Sequence, residues 1–125
     1  MRLTQISIVV RDYDEAIDYY TRVLGFQLIE DTPLKGKRWV RVKPPGGETC
    51  LLLARAKNAT EESRIGNQTG GRVFLFLGTT DFRADYERLK ANGVAFVEQP
   101  RSEEYGMVVV FEDLYGNKWD LVEQR

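Results

Sequence analysis

The same order of elements is written twice in this chain of 125 residues, the second copy about 69 residues after the first. In the first copy, Thr4 to Val10 (TQISIVV) is rich in β-branched residues and predicts a strand. Asp12-Tyr13-Asp14 supplies capping chemistry for a helix running to about Leu24, with Ala16, Tyr19, Tyr20, Val23 and Leu24 at helical spacing and Gly25 as its stop. Strands are expected at Phe26 to Glu30, Arg38 to Lys43 and Thr49 to Ala54, with Pro44-Pro45-Gly46-Gly47 as the turn between the last two.

In the second copy, Arg72 to Leu77 (RVFLFL) is a strand and Asp81 to Ala91 a helix closed by Asn92-Gly93. Val94 to Glu98, Met107 to Glu112 and Lys118 to Glu123 are strands, and Leu114-Tyr115-Gly116-Asn117 is the last turn. Gly25 answers Gly93, and the turn at Gly47 answers the turn at Gly116. The fold class that follows is α+β, two βαβββ modules forming a single domain: module one over 1–56, a polar connecting loop over 57–70, and module two over 71–125. A ferredoxin-like α+β dimer shares the βαββ order but lacks the extra strand in each half.

Composition limits the function classes. Apolar residues make up 42% and charged residues 30%, a globular balance. The net charge of −1 comes without blocks of like charge, so neither nucleic acid nor an anionic membrane is expected as a partner. Cys50, the single cysteine, stands beside Leu51, Leu52 and Leu53 and reads as a buried structural thiol. The N-terminal stretch MRLTQISIVVRDYDE has no apolar region followed by a small-residue cleavage site, which makes a cytoplasmic location the expectation. Asn58-Ala59-Thr60 matches a glycosylation sequon by chance in such a chain.

Strand alternation sorts the side chains into two faces. Ile6, Ile8 and Val10 should lie under a helix with Val40 and Val42, as should Trp119 and Leu121 in the last strand. The opposite, concave face collects Gln5, Ser7, Trp39, Arg41, Leu51, Phe74, Phe76, Val108, Val110 and Asp120. Aromatic walls with a few polar groups are the usual lining of a small-molecule site. Tyr105, in a loop with Gly106, is placed to cap its mouth.

Three stretches give the chain a family resemblance: QISIVVRDYDEAIDYYTRVLGF (5–26), DFRADYERLKANGVAFV (81–97) and FEDLYGNKWDLVE (111–123). With the repeat, they resemble the vicinal oxygen chelate superfamily, also called the glyoxalase/bleomycin resistance/dioxygenase superfamily. The resemblance implies a U-shaped, barrel-like mixed sheet around a cavity, and a homodimer. Many family members hold a divalent metal through one ligand on each of the first, fourth, fifth and eighth strands. Those positions fall here on Gln5, Leu51, near Phe74, and on Asp120. The chain has no histidine. Leu and Phe cannot ligate, so no metal or other cofactor is expected, and extradiol dioxygenase chemistry, which needs two His and a carboxylate, is excluded.

Three functions compete. One is a binder of a small aromatic or anionic molecule, with Trp39, Phe74 and Phe76 giving apolar area, Arg41 meeting an anion, and Gln5 and Asp120 hydrogen bonding. Another is a lyase or isomerase with Asp120 as general base and Arg41 stabilising a developing anion. The third is association with another protein through a collapsed pair of modules.

Overall fold

A computed structural model of the chain describes residues 1–124, which divide into two compact units, Met1–Ile65 and the residues from Gly66 onward. The division falls within the expected connecting loop.

The first unit runs β1 (Gln5–Val10), α1 (Tyr13–Asp18), β2 (Gln27–Leu34), β3 (Lys37–Lys43), β4 (Cys50–Arg55) and a short α2 (Ala59–Glu62). The sheet order is β1-β4-β3-β2, with β1 and β4 parallel and the other pairs antiparallel. Asp12 caps α1 by accepting from the backbone N–H of Glu15 at 2.8 Å. Of the apolar set expected under the helix, Ile8, Val10, Val40 and Val42 are fully buried and Ile6 partly so; Leu53, Ala16 and Tyr20 are fully buried with them. Each such aliphatic side chain contributes about 1.5–3 kcal/mol by leaving water.

The helix departs from expectation after Asp18, where Tyr19–Val23 widens into a π-helical turn. The Thr21 hydroxyl donates to the Ile17 carbonyl at 2.6 Å, and Leu24 N–H reaches back five residues to the Tyr19 carbonyl at 3.1 Å. Gly25 then takes a φ of 80°, which an L side chain adopts only with strain.

The second unit runs β5 (Val73–Thr79), α3 (Phe82–Ala91), β6 (Ala95–Phe96), β7 (Arg101–Glu103), β8 (Gly106–Glu112) and β9 (Lys118–Glu123). Its order is β5-β9-β8-β6, with β5 and β9 parallel, and β7 also pairs with β8. Of the strand expected from Val94 to Glu98 only Ala95–Phe96 forms, and β7 is a further short strand beyond it. Pro100 stands between them and has no N–H to give a ladder. Phe111, Trp119 and Leu121 are buried together with Phe82, Tyr86 and Leu89 of α3.

Each half is thus a βαβββ module of the α+β class with a mixed sheet. The connecting loop contains one element that was not expected. Asn58 caps α2 by accepting from Glu61 N–H at 2.9 Å, and its amide donates to the Glu61 carboxylate at 3.5 Å. The Asn58-x-x-Glu61 spacing carries the capping-box signature.

Candidate functional site

The register assigns the faces strand by strand. In the first module Ser7 stands opposite Leu52, Val9 opposite Ala54, and Arg41 opposite Leu52. These residues share the face away from α1. Leu51, by contrast, stands opposite both Ile6 and Val42 and is 5% exposed. It belongs to the helix side, which corrects its placement on the concave face. Both turns close alike, with Gly47 N–H on the Pro44 carbonyl and Gly116 N–H on the Asp113 carbonyl, each at 3.0 Å. Strand β4, however, begins three residues beyond Gly47, and β9 two beyond Gly116. That extra residue shifts the alternation, so Leu52 is the counterpart of Asp120.

A hollow of about 730 Å³ opens at the end of the sheet, where β4 leaves and β3 enters, and is lined both by this face and by Tyr13, Leu53 and Arg55 of the helix side. Its floor is formed by Ser7, Val9, Leu52 and Ala54, with Trp39 at one side. Its wall carries Tyr13, Arg38 and Arg55, and its rim Lys37, Lys57 and Glu61. The volume lies within the range of small-molecule sites. Gly36, at the β2–β3 turn with a φ of 74°, lets the hairpin reverse directly beside it.

Gln5 and Arg41 are engaged with each other. Arg41 Nε donates to Gln5 Oε1 at 3.1 Å, Nη1 to Glu30 at 3.3 Å, and Nη2 to the Cys50 sulfur at 3.4 Å. Cys50 is 3% exposed, in keeping with a buried thiol. The guanidinium therefore ties β3 to the other three strands of the sheet, and neither Arg41 nor Gln5 lines the hollow.

In the second module Phe76 stands opposite Asp120, and Val110 opposite Asp120 as well. Val108 pairs with Val122 and Arg101, which puts it on the same face. Phe76 is 69% exposed there. Phe74 is the extra residue at a bulge, since Val73 pairs with Lys118 and Leu75 with the next residue, Trp119. It does not continue the Phe76 row in the simple alternation expected. Tyr105 is exposed in the turn before β8.

Asp120 is the unusual group of this face. Its Oδ1 is buried with no hydrogen-bond partner among the described residues. Burial raises its pKa above the ordinary carboxylate value, with Glu98 acting in the same direction and Arg101 opposing. Arg101 itself is held between Glu98 at 2.8 Å and Glu103 at 2.6 Å.

The residues do not fit the divalent metal that the fold family implies. At the four ligand positions, the Gln5 oxygen is taken by Arg41, Leu52 in the corrected register has an apolar side chain with no ligand atom, as has Leu51 before it, and Phe74 has none either. Only the Asp120 carboxylate remains. Among the described residues no group of three or more His, Cys, Asp or Glu side chains is arranged around a common point.

Residues 2–121 match the Glyoxalase/Bleomycin resistance protein/Dioxygenase superfamily. The chain belongs to that superfamily. An uncharacterised protein of Shewanella frigidimarina (strain NCIMB 400) is 55% identical over 97% of this chain and 92% of its own length. The crystal structure of TnmS3, an antibiotic binding protein from Streptomyces sp. CB03234, superimposes with a TM-score of 0.81 at 31% identity, covering 100% of this chain and 97% of TnmS3. UcmS2 gives a TM-score of 0.85 at 31% identity over 98% of this chain and 97% of its own. No helix among the described residues is long and apolar enough to cross a membrane.

The lining residues missed from sequence include Leu52, Ala54, Lys37, Arg55 and Lys57 of the hollow. Val9 shares the face of Ser7 by alternation in β1 alone, and Leu52 and Ala54 follow once the extra turn residue is counted. Lys37 opens β3, Arg55 closes β4 on the helix side opposite Val10, and Lys57 lies beyond the strand, so alternation on the open face does not point to them.

Proposed function

We propose that this protein binds a small aromatic or anionic molecule, without a metal, in the hollow of its first module. The observation that carries the reading is the hollow itself, an apolar floor beside the half-buried Trp39 ring, of a size that admits a drug-like molecule. TnmS3, at 31% identity, is an antibiotic binding protein, which supports a binding role. Such a role asks nothing of histidine or of a metal. A homodimer goes with this reading, and the exposed Leu28, Ile29 and Leu34 of the edge strand β2 favour it. Sedimentation equilibrium tests that point.

The experiment is a thermal-shift screen of polycyclic aromatic antibiotics and aromatic acids against the wild type and Trp39→Ala. A ligand at 100-fold its Kd stabilises the folded state by about 2.7 kcal/mol, and the Trp39→Ala shift should be much smaller. Failure of every compound to raise the Tm of the wild type would overturn the reading.

The buried, unpartnered Asp120 oxygen favours a second reading, a lyase or isomerase with Asp120 as general base. Arg41 is a poor anion stabiliser for it, because its donors are occupied. Deuterium exchange from solvent next to the carbonyl of small keto acids, present in the wild type and lost in Asp120→Asn, would support this reading; absence of exchange in both would exclude it for those substrates.

A further inference from the structure

The charges around the hollow are unequal in a way that depends on who is already paired. Arg38 is spent within the module, at 3.0 Å from Asp14 and 2.7 Å from Asp31. Glu61 is turned to its own helix, where its carboxylate accepts from Lys57 N–H at 3.2 Å and from the Asn58 amide at 3.5 Å. Lys37, Arg55 and Lys57 have no carboxylate partner among the described residues. Three cations without an ion-pair partner therefore stand around a largely apolar floor, against one carboxylate, Glu61, on the rim.

Arg55 is also held in place. Its guanidinium lies over the Tyr13 ring, 5.1 Å from the centroid, while Arg38 lies 5.2 Å from the same ring. Tyr13 is fixed in turn, 5% exposed and accepting from Arg38 N–H through its hydroxyl at 3.3 Å. Stacking on an aromatic ring restrains the guanidinium plane and leaves its edge N–H groups free, the arrangement that receives a carboxylate through two parallel hydrogen bonds. Arg41, the arginine that alternation placed toward the ligand, has no such freedom.

The geometry points to a planar aromatic acid as the ligand class, its ring against Trp39 above Leu52 and Ala54 and its anionic oxygens on Arg55, with Lys57 beside them. This rests on the binding role proposed above and assigns the charge-reading residue within it. Neutral and cationic aromatics of the same shape would gain the apolar contact alone.

The test uses three matched probes, 2-naphthoate, 2-naphthalenemethanol and 2-naphthylmethylammonium, titrated calorimetrically into the full chain. Variants are Arg55→Gln, Lys57→Gln and Trp39→Phe. Arg55 and Lys57 are both exposed, and unchanged Tm values will show that their variants fold. The acid should bind at least tenfold more tightly than the alcohol, and the amine most weakly. Arg55→Gln should bring acid and alcohol within about twofold of each other and leave the alcohol unchanged, with Lys57→Gln giving a smaller loss. Salt should weaken only the acid. Equal binding of acid and alcohol, or a preference that survives Arg55→Gln, overturns the assignment and leaves the binding role standing. Failure of all three probes to bind overturns the assignment, and the wider thermal-shift screen above then decides the binding role.

Discussion

Trp119 donates its indole N–H to Asp113 Oδ2 at 3.2 Å, and the two are 2% and 6% exposed. The same carboxylate accepts from the backbone N–H of Tyr115 and of Asn117 and from the Asn117 amide, each at 3.0 Å. One acidic side chain thus organises the turn between β8 and β9 and aims the strand that carries Asp120. Asp113→Ala would strand several buried donors at once, each worth about 1–3 kcal/mol when left unsatisfied. The expected loss is about 3–5 kcal/mol in urea unfolding, with Trp119→Phe losing about 1–3 kcal/mol. A loss below 1 kcal/mol for Asp113→Ala would show that water replaces the carboxylate.

Asp120 predicts a pH dependence with a definite sign. Its folded pKa is raised, chiefly by burial, above the ordinary 3.8. At a pH between the unfolded and folded values the folded state holds the proton and the unfolded state does not. Its contribution to stability is fully present below the unfolded pKa and is lost as pH rises through the folded one. Asp120→Asn removes the titration and leaves a neutral side chain. The variant should therefore gain stability over the wild type at pH 7, and the gain should shrink as the solution is acidified toward pH 3.8. Urea melts of both proteins across that range check it, and a gain that grows on acidification would contradict the buried-carboxylate account.

The fold was readable because its signals are local: β-branched alternation in β1 and β3, Asp12 and Asp81 before the helices, Gly25 and Gly93 after them. The α2 turn was not read, although Asn58 and Glu61 three apart carry its signal. The site was less readable, because three of its determinants are not local. One residue more between Gly47 and β4 exchanged Leu51 for Leu52, and a one-residue slip moves a side chain to the other face. A bulge next to Phe74 broke the alternation of β5. Alternation placed Arg41 toward the ligand, yet its partner Gln5 is 36 positions away in sequence. Charge pairing decides which arginine is available, and only the fold reveals the pairs.

Arg41 therefore carries a structural prediction. Its side chain is 28% exposed and bonds Gln5, Glu30 and Cys50 at once. Arg41→Met keeps the apolar stem and deletes the donors, leaving the Gln5 oxygen half-buried without its partner. The expected loss is about 1–2 kcal/mol of stability, with the affinity ratio between 2-naphthoate and 2-naphthalenemethanol unchanged. A collapse of that ratio in Arg41→Met, with Arg55→Gln silent, would transfer the anion-reading role to Arg41.

Trp39 and Trp119 are the two tryptophans of the chain, and their surroundings differ enough to be read separately. Trp119 is 2% exposed beneath α3, with its N–H bonded to Asp113 and its ring stacked at 5.7 Å on Phe111. Trp39 is only half-buried and borders the hollow. A polar quencher such as acrylamide reaches an indole in proportion to its exposure, so the wild type should show two populations, one quenched readily and one hardly at all. Trp39→Phe should leave only the protected, blue-shifted emission, whereas Trp119→Phe should leave only the accessible one. An aromatic ligand seated in the hollow would shield Trp39, lowering the quenching constant of the wild type toward that of Trp39→Phe. If a bound ligand leaves that constant unchanged, it sits away from Trp39, and the hollow of the first module is not where it binds.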